Sequence, residues 1–339
     1  YPMVIVTRFP VSCFDCSGDY LHAQIRQQVP ATYLFRSGMY EARSISRLKV
    51  GMITRAQDAW CSSRLREAFV RQRVEPVAFR FDDVTARIGA VPEFSVGEID
   101  ILHELSAILV RPIGRGSLDE VIFQMDGLHK LARHGMPVIN PPGAIERAVD
   151  KYYALALLSE QGLPVPKTVV TEDVREAMRA YRDFGGEAVI KPVFGSRGIG
   201  VARIRDEDIA ERAMRTLRFY RHVLYVQEFV RHGTRDIRTF VIGGRVVAGI
   251  FRVSSSWKTN VSRGAVPKEF KVDPKVEALA VKAAATLGCK IAGVDIMESE
   301  QGLLVHEVNS QPGWKGLQTT TNLRIADEIA TFVIQEAKK

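Results

Sequence analysis

Cysteine is scarce in this sequence, and long apolar runs and a secretory signal are missing from it. Only four cysteines, Cys13, Cys16, Cys61 and Cys289, occur among 339 residues, too few and too scattered for a disulfide framework. No apolar run approaches the length of a membrane-spanning helix, roughly 20 residues. Residues 1–12 also lack the charged, apolar and small-residue order of a signal peptide. We therefore expect a cytoplasmic protein that has no membrane partner.

Several nucleotide-binding and catalytic motifs are absent as well. The turn at 55–58, after the first predicted strand, has no G-x-G-x-x-G fingerprint, which argues against a dinucleotide-binding domain there. No G-x-S-x-G motif and no Cys/His constellation indicates a side-chain nucleophile. Cys13 and Cys16 form a C-x-x-C, but no second pair or nearby histidine completes a zinc site around them.

The bulk composition is that of a globular chain with a basic balance. With 339 residues, 46% hydrophobic and 25% charged, the chain is long enough for two or three compact units. A net charge of +8 suits an anionic partner. Because the basic residues are spread along the chain, without a clustered tract and interleaved aromatics, we expect no nucleic-acid partner.

An alternation of strands and helices begins at Leu48. Strands are predicted at 48–54, 75–81, 106–111 and 137–140, with helices at 62–73 and 117–134, the second capped by Ser117. This order predicts a small parallel α/β domain over 48–141, closed by the Pro141-Pro142-Gly143 boundary. Residues 1–47 show no sustained period and are interpreted as an extension of unknown role.

The middle of the chain carries two lysines and a glycine-rich loop. A single long helix is predicted over 144–161, with Lys151 inside it, and a strand over 187–193 carries Lys191 in an apolar run. The loop at 195–200, G-S-R-G-I-G, lets successive backbone N–H groups point at one anion. It is no P-loop, because no G-K-[ST] follows, and strand residues follow it rather than a helix. A phosphate flap and a plain hairpin turn both remain open at this point.

The last third contains two hairpins. The first surrounds the Gly243-Gly244 turn within 236–253. The second runs over 291–313 and places Asp295 in its first strand. Alternation in its second strand predicts that Val305, Glu307 and Asn309 share one face, with His306 and Val308 on the other. Two carboxylates and an amide oxygen make a partial cage for a hard divalent cation, although a hairpin with a solvated polar face fits the same pattern.

The order of these motifs carries a family resemblance. A helix lysine, a strand lysine and a glycine flap are followed by V-Q-E-F-V, D-I-R, K-x-N-x-x-R-G, V-D-I and H-E-V-N-x-x-P-G. From Leu48 to Lys339 this series resembles the ATP-grasp enzymes, and among them the RimK-like ligases that add glutamate or a related amino acid. The stretches 116–120 and 150–153 also resemble the branch that glutamylates pterin-type cofactors such as tetrahydromethanopterin.

The resemblance implies a fold. It would be α/β, with α+β character in the C-terminal part: a small parallel pre-ATP-grasp domain (48–141), then an ATP-grasp domain (142–339). The latter would consist of a lid subdomain (about 165–231) and a C-terminal subdomain (about 232–339) that enclose ATP.

The resemblance also implies roles for individual residues. Asp295, Glu307 and Asn309 would bind two Mg²⁺ ions, with Mn²⁺ as an alternative, and Arg238 and Arg263 would face the reacting carboxylate. Trp314 would add bulk on the acceptor side. The residues implied to bind ATP are Lys151, Lys191, Gly195, Ser196, Arg197, Gly198, Gly200, Gln227, Glu228, Val230, Asp236, Lys258 and Asn260. The two lysines would reach the phosphates, with the loop at 195–200 closing over them. The backbone of Glu228 and Val230 would face the adenine edge, and Asp236 would hold the ribose hydroxyls.

The activity implied is an ATP-dependent ligase that makes an amide through an acyl phosphate and releases ADP and phosphate. Its partners would be an amino acid, glutamate above all, and a carboxylate acceptor: a pterin-type cofactor, a polypeptide or glutamate tail, or an amino-group carrier protein. Homo-oligomers are common among such ligases. Two rivals are a small-molecule kinase on the same fold and a non-catalytic nucleotide- or nucleic-acid-binding module. ATP consumption that requires both an amine and a carboxylate would separate the ligase from the kinase.

Overall fold

The computed structural model describes residues 48–114, 116–195, 198–261 and 264–339, which fall in one compact unit. The predicted extension at 1–47, with Cys13 and Cys16, lies outside the described residues, as do Ser196, Arg197 and Arg263 of the predicted site. None of the described helices has both the length and the apolar character needed to cross a bilayer.

The first sheet along the chain is parallel, as predicted. In chain order its region contains β1 (Lys49–Ile53), α1 (Trp60–Arg71), β2 (Glu75–Phe79), β3 (Val84–Ala86), β4 (Phe94–Val96), β5 (Ile99–Asp100), α2 (Ile101–Glu104), β6 (Ala107–Val110), α3 (Leu118–Arg133) and β7 (Val138–Ile139). The strand order is β2-β1-β6-β7, all parallel. Ser117 caps α3 in a capping box with Glu120. The strands β3, β4 and β5 form a separate antiparallel sheet that the sequence did not predict.

The predicted long helix over 144–161 is wrong, because the structure has two helices there. They are α4 (Pro142–Val149) and α5 (Lys151–Glu160). Between them Asp150 adopts an extended conformation, and its carboxylate accepts the backbone N–H groups of Tyr152 and Tyr153 as the N-cap of α5. This break moves Lys151 from the middle of a helix to the first position of one.

The next sheet is antiparallel and carries two helices on one face. Its elements are β8 (Thr168–Thr171), α6 (Val174–Asp183), β9 (Ala188–Ile190), β10 (Ala202–Ile204), α7 (Glu207–Phe219) and β11 (Leu224–Glu228), in the strand order β10-β9-β11-β8. Met178 and Met214 from the two helices pack with Ile190 and Val226 in one apolar core. Lys191 directly follows β9, so it lies at the carboxyl end of an inner strand of this sheet.

A five-stranded antiparallel sheet completes the molecule. Its region contains β12 (Arg235–Ile242), β13 (Arg245–Val253), β14 (Val266–Glu269), α8 (Pro274–Thr286), β15 (Ile291–Ser299), β16 (Gly302–Asn309), α9 (Lys315–Gln318) and α10 (Ile325–Ala337), in the order β14-β13-β12-β15-β16. Both predicted hairpins are present. Gly243 and Gly244 have φ values of +56° and +81°, the left-handed conformations that a tight hairpin turn requires.

The C-terminal helix α10 joins the first and last sheets through one apolar core. Ile329 and Val333 of α10 pack in the same cluster as Val50 of β1, Phe69 of α1 and Phe240 of β12. The predicted division into domains 48–141 and 142–339 stays a prediction, since the described residues belong to one compact unit.

Candidate active site

A cavity lies where the edge of the four-stranded antiparallel sheet meets the β12–β16 sheet. It has about 870 Å³ of empty space, a figure that includes the open solvent at its mouth. Twelve residues of the predicted site line it: Lys151, Lys191, Gly195, Gly198, Gln227, Glu228, Val230, Asp236, Lys258, Asn260, Asp295 and Glu307. The fold therefore brings together residues that span more than 150 positions of the chain.

Three predicted residues lie beside the cavity without lining it. Gly200 has a φ of +76° and packs against Pro192. The Asn309 amide donates to the Gly293 carbonyl at 3.5 Å. Arg238 is directed at Asp295, across the β12–β15 register.

Lys151 connects the start of α5 to the glycine loop. Its ammonium donates to the Gly195 carbonyl at 2.6 Å and reaches the Val193 carbonyl at 3.4 Å. Burial lowers the pKa of Lys151, while the nearby Glu307 opposes that shift. The break at Asp150 thus sets a cation under the loop that was predicted to close over phosphates.

Lys191 is the most deeply buried cation of the predicted phosphate site. It is 6% exposed, donates to Gln227 Oε1 at 3.0 Å and lies 5.0 Å from the centre of the Tyr225 ring. Burial lowers its pKa to about 8, and the neighbouring charge of Lys151 adds to that effect while Glu307 opposes it. An anionic ligand would strongly stabilise the charged form of a lysine in such surroundings.

The end of β11 has the arrangement expected of an edge that reads a base. The Lys167 N–H donates to the Glu228 carboxylate at 2.9 Å. In a regular antiparallel ladder this N–H would donate to the Glu228 carbonyl instead. Gln227 is held from both sides, because it also donates to Thr168 Oγ1 at 2.8 Å. The Glu228 and Val230 backbone therefore borders the cavity beside a fixed Gln227, although contact with adenine stays a prediction.

Asp295 and Glu307 face each other across the β15–β16 ladder. They line the same cavity, but their surroundings differ. Asp295 is 2% exposed and forms ion pairs with Arg238 and with Arg252, the latter at 3.2 Å. Nε of Arg238 faces Oδ1 of Asp295 without the alignment of a hydrogen bond. Glu307 has no ion-pair partner within 4 Å among the described residues.

The predicted placement of His306 on the opposite face from Glu307 is wrong. Ile296 pairs with Val305 and Asp295 pairs with Glu307, so His306 is the extra residue of a β-bulge. The bulge turns both His306 and Glu307 toward the cavity, while Val305 and Val308 pack in the apolar core. Bulges redirect side chains in this way beside active sites.

The interior position of His306 keeps its ring neutral. Burial and the neighbouring cations Lys191 and Arg252 hold the pKa of His306 well below its ordinary value of 6.5. Its Nδ1 atom is buried and has no hydrogen-bond partner among the described residues. A neutral imidazole keeps one donor and one acceptor nitrogen, so this ring offers a hydrogen bond to whatever fills the cavity.

Arg252 is a cavity residue that the sequence analysis missed. It is a buried residue of β13 and lies directly opposite Asp236 of β12. Its Nε donates a hydrogen bond to the Asp236 carboxylate at 2.7 Å. Thr259 also donates to Asp236. Both oxygens of Asp236 are therefore engaged within the protein, and its role at the ribose stays a prediction. The signal in the sequence was an arginine at the end of an otherwise apolar strand.

The residues present suit a hard divalent cation. No group of three or more His, Cys, Asp or Glu side chains in the described part of the chain is arranged to hold a metal. The predicted set consists of two carboxylates and one amide, however, with Asp295 opposite Glu307 and Asn309 opposite Gly293 on the same strand pair. Mg²⁺ commonly takes one or two carboxylates and completes its shell with water and phosphate oxygens.

Comparisons with known proteins show which families and enzymes the chain is similar to. A family model described as a RimK-like ATP-grasp domain matches residues 148–333. The chain is 41% identical over 244 residues to a tetrahydromethanopterin:alpha-L-glutamate ligase of Methanocaldococcus jannaschii, covering 70% of this chain and 82% of that protein. It is 32% identical to the enzyme of the same name from Methanococcus maripaludis, covering 86% of this chain and all of that protein.

Solved structures with the same fold include ATP-grasp ligases. The ligase PsnB in complex with minimal precursor, Mg and ADP superposes with a TM-score of 0.65 at 20% identity, covering 86% of this chain and 98% of that one. A RimK domain ATP-grasp protein from Sphaerobacter thermophilus superposes with a TM-score of 0.67 at 23% identity, covering 84% of this chain and 99% of that one.

Proposed function

Because the chain belongs to the RimK-like ATP-grasp family, we propose that it is an ATP-dependent ligase that joins L-glutamate to a carboxylate acceptor. The observation that carries the proposal is the cavity that brings Lys151 and Lys191 together with Asp295 and Glu307. Two cations beside two register-paired carboxylates suit a metal-bound polyphosphate. The products would be an amide, ADP and phosphate.

The chemistry requires a carboxylate to be activated before an amine attacks it. Transfer of the terminal phosphate of ATP to the acceptor carboxylate would give an acyl phosphate and ADP. The glutamate amine would then attack the carbonyl carbon of the acyl phosphate, forming the amide and expelling phosphate. Lys151 and Lys191 would neutralise phosphate charge, and the backbone N–H groups of the glycine loop would orient the phosphates. Two Mg²⁺ ions, or Mn²⁺, held by Asp295, Glu307 and Asn309 would supply further neutralisation of the charge that develops on the transferred group.

A pterin-type cofactor is the acceptor that we favour. Three relatives named as tetrahydromethanopterin:alpha-L-glutamate ligases are 32–41% identical to the chain. A relative named as an alpha-aminoadipate–LysW ligase from Sulfurisphaera tokodaii is 36% identical over 208 residues, which makes an amino-group carrier protein the alternative acceptor. The net charge of +8 suits an acidic acceptor of either kind.

The direct test is incubation with ATP, Mg²⁺ and isotopically labelled L-glutamate against a panel of acceptors. The panel would contain tetrahydromethanopterin, a folate, an acidic carrier protein and a peptide with a glutamate tail. We expect ADP release that depends on both glutamate and one acceptor, with mass spectrometry showing the addition of glutamyl units. Sustained, multiple-turnover ADP release in the absence of any amine, with the acceptor phosphorylated on a hydroxyl group, would contradict the ligase and support a kinase.

The metal proposal has its own readout. EDTA should abolish ADP release, and Mg²⁺ or Mn²⁺ should restore it. The same titration followed by nucleotide binding, rather than by turnover, would show whether the cation enters with the nucleotide. Activity that survives complete chelation would refute the metal role of Asp295 and Glu307.

A further inference from the structure

The parallel sheet has a topological switch point between β1 and β6, and the residues that follow these two strands, Arg55 and Arg111, do not line the nucleotide cavity. In the strand order β2-β1-β6-β7, the chain runs from β1 outward to β2 at one edge of the sheet. It runs from β6 outward to β7 at the opposite edge. The loops at the carboxyl ends of β1 and β6 therefore diverge. In open α/β sheets, ligands bind in the crevice at such a topological switch point.

Two arginines follow the two strands that flank this point. Arg111 directly follows β6, and Arg55 lies two residues beyond β1. Backbone hydrogen bonds tie the two strand ends together, from Arg111 N to Ile53 O at 2.8 Å and from Arg55 N to Pro112 O at 3.1 Å. Both side chains thus start from adjacent positions at the same edge of the sheet.

Arg111 is buried without a counter-ion. It is 5% exposed, and no carboxylate of the described residues lies within 4 Å of it or of Arg55. Its Nη2 atom donates a hydrogen bond to the Pro312 carbonyl at 2.9 Å, and its guanidinium carbon lies 4.9 Å from the centre of the Trp314 ring. Burial lowers its pKa to about 10. Burying an arginine without a carboxylate is costly, and that cost is offset when an anionic ligand binds.

The position of Arg111 also relates it to the predicted reaction centre. Pro312, whose carbonyl accepts from Arg111, follows Asn309 by three residues. A Cβ atom placed on Gly293 would lie 2.9 Å from Cβ of Pro312 and against the guanidinium of Arg238. Pro312 therefore lies between Arg111 on one side and the Arg238–Asp295 pair on the other.

We propose that Arg111 and Arg55, at the switch point of the parallel sheet, bind a carboxylate of the non-nucleotide substrates. The inference rests on the proposed ligase function and adds a second binding site to it. The shared chemistry is a carboxylate, which is supplied either by the added glutamate or by the acceptor. A guanidinium suits it, since it can donate two parallel hydrogen bonds to a carboxylate.

The test compares Arg111→Gln and Arg55→Gln with Arg245→Gln, which removes an exposed arginine paired with Glu328. The KM values for ATP, L-glutamate and the acceptor found in the panel are measured separately. We expect Arg111→Gln to raise the KM for one carboxylate substrate by about 10-fold to 100-fold, the loss typical of a charge-assisted hydrogen bond. In Arg111→Gln the KM for ATP should stay within about twofold of the wild-type value. Arg55→Gln should raise the KM for the same carboxylate substrate by a smaller factor. Arg245→Gln should leave all three KM values unchanged. Whichever substrate is affected identifies the source of the carboxylate.

The outcomes separate a binding role from a structural one. Arg111→Lys keeps the charge and should recover part of the lost affinity. If Arg111→Gln fails to fold, the decision passes to Arg55→Gln, whose exposed side chain can be replaced without loss of the core. Unchanged KM values for both carboxylate substrates in the folded variants, or an equal rise in all three KM values, would overturn the inference. A wild-type protein without glutamate-dependent ADP release would instead contradict the proposed function itself.

Discussion

Asp295 and Glu307 show how neighbouring residues with one predicted role can differ in their structural importance. Both carboxylates line the cavity, but Asp295 also neutralises Arg238 and Arg252 inside the protein. Removing one member of a buried ion pair leaves the other charge uncompensated, which typically costs about 3–5 kcal/mol. Glu307 has no such partner among the described residues.

We therefore predict that Glu307→Gln and Asp295→Asn both lower the rate of ADP release by about 100-fold or more, but differ in stability. Glu307→Gln should change the free energy of unfolding by less than about 1 kcal/mol, whereas Asp295→Asn should lower it by several times that amount. Urea denaturation followed by circular dichroism measures the difference. Equal loss of stability in the two variants would contradict the assigned ion pairs.

The lowered pKa of Lys191 predicts that nucleotide binding depends on pH. Its pKa of about 8 lies below the ordinary value of 10.5 because the charged form is buried. Between those two values the unfolded chain binds more protons than the folded protein, so this group makes stability rise as pH rises through that window. A triphosphate favours the charged ammonium, so ADP or a non-hydrolysable ATP analogue should bind with proton uptake at pH 8.5 and more weakly as pH rises.

Calorimetric titration at pH 8.5 in two buffers of different ionisation enthalpy measures that uptake. We expect different apparent heats for the wild-type protein. Lys191→Arg is the control, because arginine stays charged throughout this range, and its two heats should agree. Identical heats in both buffers for the wild-type protein would show that Lys191 does not titrate on binding.

At the scale of elements, the break between α4 and α5 has a functional consequence. Asp150 caps α5 and so fixes the first position of that helix, where Lys151 reaches the Gly195 carbonyl. Loss of an N-cap usually costs about 0.5–2 kcal/mol. Asp173 caps α6 through the Arg175 N–H and does not line the cavity, so it provides a matched comparison.

We predict that Asp150→Ala and Asp173→Ala lower the free energy of unfolding by similar amounts, about 1 kcal/mol each. Only Asp150→Ala should also raise the KM for ATP, by about 10-fold, since it frees the lysine from its position. Asp150→Asn keeps the cap and should leave the KM for ATP within about threefold of the wild-type value. A raised KM in Asp173→Ala would mean that the effect comes from general destabilisation.

At the scale of the whole molecule, α10 makes the first and last sheets depend on one another. Ile329 is 1% exposed in a core that includes Val50, Phe69 and Phe240. The predicted domains 48–141 and 142–339 should therefore unfold together, although each contains its own sheet.

The variant Ile329→Ala tests this coupling. Truncating a buried isoleucine should lower the free energy of unfolding by about 2–5 kcal/mol, and unfolding in urea should remain a single transition by both fluorescence and circular dichroism. The exposed Thr331→Ala on the same helix should cost less than about 1 kcal/mol. Two separated transitions in either variant would show that the domains are independent.

Most of the fold was predictable because its signals are local. The alternation of strands and helices, the capping box at Ser117 and the Gly243-Gly244 turn each depend on residues close together in the chain. The ordered series of motifs also indicated the family and about half of the residues that line the cavity. The short strands β3, β4 and β5, of two or three residues each, are too brief to show a period.

What only the tertiary structure decided were contacts between residues far apart in the chain. The sequence by itself determined which side chains carry charge and on which predicted strand each of them lies. It did not determine that His306 forms a bulge, or that Arg252 lies between Asp236 and Asp295. Strand register is set by packing of the whole sheet, and a shift of one residue turns a side chain to the other face. For that reason twelve of the residues that line the cavity could be named from the sequence, but not Arg252 or His306, and not the pairing of the charged side chains.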